Sequence, residues 1–163
     1  MHTRMKDVAD QVEEWVRRIY SLATRLDAFR NDTIIIDDLR SVPDSIRKLQ
    51  QRLNAEDDAA IKTELQDTIG RRQAQFDSLQ KLEQTMDRAE LQLENTLTAL
   101  GTVYSQMLLV DAKDVDSSKT QRLRENILDQ VNSLNDVLST MDEVYAAGDQ
   151  IARTKSNLGA KAR

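Results

Sequence analysis

The chain is predicted to be all-α, an elongated antiparallel helical bundle or coiled coil of three to four helices, one of them about 50 residues long. Three observations predict this. Met5, Val8, Val12, Trp15, Ile19, Leu22, Leu26 and Phe29 recur at alternating spacings of three and four residues. That rhythm is an a/d seam, the narrow apolar stripe of a helix that packs against other helices. It returns in two later segments. Finally, the 163 residues include one Pro and four Gly, too few for the many turns of a β or α/β chain.

The first seam predicts a helix over about 3–30. Asn31-Asp32-Thr33 interrupts it. Ile34, Ile35 and Ile36 could form a strand, but a lone strand has no partner, so they read as a buried turn of helix or a packed connector. Ser41-Val42-Pro43-Asp44 has the form of a helix start, with Ser41 as cap and Pro43 in the first turn. It opens a second helix over 43–54, carrying Ile46, Leu49 and Leu53.

Glu56-Asp57-Asp58 places acids at the positive end of a third helix, 57–110. Its apolar series runs from Ile61 to Leu79 and continues as Leu82, Met86, Ala89, Leu93, Thr96, Leu100, Val103, Met107 and Val110. No stop intervenes, although Gly70 and Gly101 each cost about 1 kcal/mol relative to Ala. Leu91, Leu97, Tyr104 and Leu108 add a second stripe, so this face is expected to touch two helices at once. Tyr104 and Tyr145 read as packed, and Tyr20 as exposed. Ser118-Lys-Thr-Gln121 fits a capping box opening a fourth helix over 118–147, with Ile127, Val131, Leu134, Leu138, Met141 and Tyr145 inward. Gly148 is expected to end or fray it. Residues 1–148 thus read as a single domain, and 149–163 as a flexible basic tail carrying Arg153, Lys155, Lys161 and Arg163.

Composition narrows the chemistry. The net charge is −5 with acids and bases interleaved, a surface without the basic footprint of nucleic-acid binding. Cysteine is absent, which excludes disulfides and thiolate catalysis and suits a cytoplasmic protein. No apolar run approaches the ~20 residues that cross a bilayer. The one histidine is His2, so neither histidine catalysis nor a Glu-x-x-His di-iron site is expected. The glycines are isolated and form no phosphate loop. No catalytic residue, cofactor or resident metal is nominated.

Asp114-x-Asp116-x-Ser118, with Glu125 at the twelfth position, echoes a calcium loop, whose geometry needs oxygens at alternate positions and a distal Glu. The sixth position, where such loops need Gly, is Lys119. An acidic interhelical turn is therefore the favoured reading. Val8, Val12, Trp15, Ile19 and Leu22 form the candidate interface. Trp15 could anchor a partner, but the continuous seam favours core packing.

The stretch Gln11-Val-Glu-Glu-Trp-Val-Arg-Arg-Ile19 resembles the first helix of a spectrin-type repeat, and that resemblance implies a three-helix antiparallel layout. Here the third helix lacks a Trp and the middle helix is longer. Met86 to Tyr104, followed by Leu-Leu-Val-Asp-Ala-Lys-Asp-Val-Asp116, resembles uncharacterised prokaryotic coiled-coil proteins, which implies a helical domain without a known active site. The expectation is a bacterial, non-enzymatic interaction or scaffold domain that presents its helical seams to a protein partner or to itself. A coiled-coil sensor of a larger or membrane-associated assembly is the alternative, with small seam residues Ala89 and Thr96 as its loose point. Contact of the basic tail with anionic lipid or nucleic acid is a minor one.

Overall fold

The computed structural model describes residues 2–109 and 118–161, with side chains described over 6–109 and 118–147. The fold is all-α: α1 (His2–Arg30), α2 (Thr33–Ala55), α3 (Ala59–Leu109) and α4 (Ser118–Lys161), with no strand among the described residues. The chain divides into two compact units. The first holds Met1–Ala28 and Asp87–Thr140, the second Phe29–Met86 and Met141–Arg163.

In the first unit, the α1 seam is closed by the chain itself. Val8, Trp15, Leu22 and Leu26 are buried, as are Ala89, Thr96 and Val103 of α3 and Leu123, Ile127, Leu134 and Leu138 of α4. Each large apolar side chain so buried stabilises the fold by roughly 1.5–3 kcal/mol. α1 and α3 are antiparallel: Trp15 meets Thr96, while Val12, earlier in α1, lines a groove with residues up to Met107, later in α3. The part of α3 from Asp87 onward and the part of α4 up to Thr140 share this unit with α1. Arg25 reaches across to donate to the Leu138 carbonyl at 3.1 Å.

The second unit differs most from expectation. α2 begins at Thr33, ten residues before the expected start, and Pro43 lies inside it. The cap is Asp32, whose Oδ1 accepts from the amides of Ile34 and Ile35. The Ile trio is therefore the first turn of a helix, with Ile34 and Ile36 exposed rather than buried. Packing carries α2 through the proline. Ile35, Leu39, Val42, Ile46, Leu49 and Leu53 keep the four-three rhythm across it, with Val42 and Ile46 buried. Next to Pro43, Asp44 pairs with Lys48 at 3.2 Å and with Arg47. The hydrogen bond from Lys48, and then the charges of Lys48 and Arg47, hold the Asp44 carboxyl below its ordinary value.

α3 starts at Ala59 rather than at residue 57, because Asp58 caps it by accepting from Ala60 and Ile61. A three-residue turn thus joins α2 to α3 as antiparallel neighbours, and Gln75 of α3 donates to Asp38 of α2. At the far end, α4 runs through Gly148 to Lys161 rather than ending at Gly148. Ser118 is already helical, and the side-chain amide of Gln121 donates to Glu125 Oε1.

Candidate functional site

The five residues of the expected interface all lie among the described residues. Val8, Trp15 and Leu22 are fully buried within the first unit, and Val12 and Ile19 are half-buried. Trp15 is therefore not available to a partner. Its indole N–H donates to the Thr96 hydroxyl at 2.8 Å, and both side chains are wholly inaccessible. Thr96 is small because the large indole lies opposite it, and polar because that indole carries a buried donor. A single pairing 81 residues apart in sequence thereby sets the register of α1 on α3.

Of the calcium-like pattern, Asp114 and Asp116 lie outside the described residues, while Ser118 and Glu125 sit on α4 with Glu125 engaged by Gln121. No group of three potential metal ligands occurs among the described residues.

The second stripe of α3 departs from expectation and supplies the candidate site. Leu97, Tyr104 and Leu108 are 49%, 64% and 70% exposed, so they do not pack against a second helix, and Tyr104 is not a core residue. Leu91 is also exposed, but it lies six residues from Leu97, about 120° around the helix, and does not share the face. The spacing Leu97, Gly101, Tyr104, Leu108 is itself four-three-four. This open seam flanks the buried one and borders a groove of about 460 Å³ lined by Val12, Leu97, Leu100, Gly101, Val103, Tyr104 and Met107. On α1, Val16 is exposed one turn beyond Val12.

The electrostatics of this flank are unusual for so charged a chain. No charged residue occurs from Asn95 to Leu109. The hydroxyls of Thr98, Thr102 and Ser105 turn back to the carbonyls of Glu94, Thr98 and Gly101. Local polar demand is thus met within the helix. On the neighbouring α1, Glu13 and Glu14 are paired with Arg17 and Arg18. The flank offers apolar area and shape, without the converging ionisable groups that acid–base chemistry uses.

No protein-family model matches the chain, and no curated protein and no solved structure is significantly similar to it. Among the described residues, no helix is long and apolar enough to cross a membrane.

Proposed function

We propose that the chain is a non-enzymatic, cytoplasmic helical interaction domain whose binding surface is the open α3 flank of the first unit, and that it acts by presenting this second seam to another helix. The observation that carries the reading is the exposure of Leu97, Tyr104 and Leu108 at coiled-coil spacing beside an uncharged groove. Apolar side chains aligned in this way are the surface an amphipathic helix covers. The surface differs from the α1 seam, which the chain fills itself. The sensor reading gains nothing from Ala89 and Thr96. Both are fully buried, and the Trp15 bond holds Thr96 in one register.

The test is a photoreactive phenylalanine analogue at Tyr104, with an identical probe at exposed Arg71 as control, illuminated in the producing cells. The reading expects a discrete adduct from position 104, lost when Leu97 and Leu108 become Ser. An adduct pattern no different from that at position 71 refutes it.

A further inference from the structure

The chemistry of the stripe narrows what can lie on it. The groove margin bears no unpaired acid among Glu13 and Glu14 to draw in a basic helix, and α3 carries no charge there to draw in an acidic one. A complementary surface must be uncharged, apolar and spaced four-three-four. The stripe itself meets that description. It is also self-complementary in size. Antiparallel coiled coils bring a positions opposite d positions. About a two-fold axis midway between residues 101 and 104, Leu97 then faces the other Leu108, and Gly101 faces the other Tyr104. A Cβ built on Gly101 meets nothing within 4 Å, so there is open space where the large Tyr104 ring would enter. A parallel arrangement would instead set Gly against Gly and Tyr against Tyr, a void beside a clash.

We propose that the occupant of the flank is a second copy of this chain, packed antiparallel along Leu97–Leu108, an identification that rests on reading the flank as the binding surface. The contact is isologous, with Tyr104 of each copy seated over Gly101 of the other. Leu97, Tyr104 and Leu108 offer on the order of 300 Å² of exposed side chain per copy, below the roughly 800 Å² that each partner buries in a standard interface. The dimer is therefore weak and concentration-dependent. Its absence in dilute solution and its formation at high concentration belong to the same description.

Two measurements on the full chain test this. Sedimentation equilibrium from about 10 μM to about 1 mM brackets weak interfaces of this size. It should show the mass rising from 18.6 kDa toward twice that value. Gly101→Leu, which places its side chain in open space, should keep or raise the melting temperature and shift the dimerisation midpoint at least tenfold upward. The second measurement uses the absence of native cysteine. Leu97→Cys and Leu108→Cys chains are mixed, oxidised and mapped by peptide mass. Leu97 and its copy would be separated by the rise over eleven residues, about 16 Å, beyond disulfide reach. The mixed 97–108 disulfide should therefore dominate. Dominance of 97–97 and 108–108 bonds, a Gly101→Leu chain that dimerises like the parent, or a monomer at every concentration overturns the proposal. If the Tyr104 photoprobe captures a different protein while the purified chain stays monomeric, the binding surface stands and the second copy falls.

Discussion

At the scale of single residues, Thr96 and Trp15 form a pair whose energy is separable. Thr96→Val keeps the shape of the side chain and removes the acceptor of the buried indole proton. The expected loss is about 1–3 kcal/mol, the cost of leaving a buried donor unsatisfied. Urea denaturation measures it. In the double variant Trp15→Phe/Thr96→Val the donor is gone as well. The combined loss should fall short of the sum of the single losses by roughly 0.5–3 kcal/mol. Tyr145 gives a second prediction. Burial, and then the negative charge of Asp32, raise its phenol above the ordinary 10.0. The folded chain favours the protonated phenol. This contribution is complete below the unfolded-state value and disappears as pH rises through the higher folded one. Asp32→Asn keeps a competent cap for α2 but removes the charge. It should lower the Tyr145 titration only in part, because burial is the larger cause. Phenolate absorbance, taken as a difference against Tyr145→Phe, reads this out.

At the scale of elements, helix interiors were far more legible than their ends. The α1 seam is visible in the spacing alone. The third helix is also recognisable, to within two residues at its start. Pro43 has the local form of a helix beginning, yet α2 runs through it from Thr33. The correcting signal was present in Ile35, Leu39, Val42, Ile46, Leu49 and Leu53, a seam that passes through the proline unbroken, with Asp32 as cap before it. Local propensity pointed one way and tertiary packing the other, and packing prevailed. Pro43→Ala restores a donor for the Leu39 carbonyl, and should raise stability by roughly 1–3 kcal/mol in a chemical denaturation series. The open stripe was legible as a stripe, but its exposure was not. Spacing shows which side chains share a face, and whether another helix covers that face depends on residues distant in sequence. Thr96 was opaque for the same reason, since its meaning depends on an indole 81 residues away.

At the scale of the whole molecule, charge and the uncharged stripe oppose each other. A net charge of −5 keeps copies apart at neutral pH, while Asn95 to Leu109 contributes no charge to that repulsion. Near the isoelectric point of about 5.0, the opposition lapses. Weight-average mass by light scattering should therefore rise as pH is lowered from 7 toward 5. The rise should be smaller in a Tyr104→Lys chain, which puts a cation into the stripe.

The sequestration of Trp15 has an optical consequence. It is the chain's sole tryptophan, and it is sealed in the core of the first unit. Fluorescence excited at the red edge of protein absorption comes from that core alone. Emission from the native chain should be blue-shifted and indifferent to iodide. Loss of either property would give a label-free signal that the first unit has opened, while helices elsewhere still report through circular dichroism.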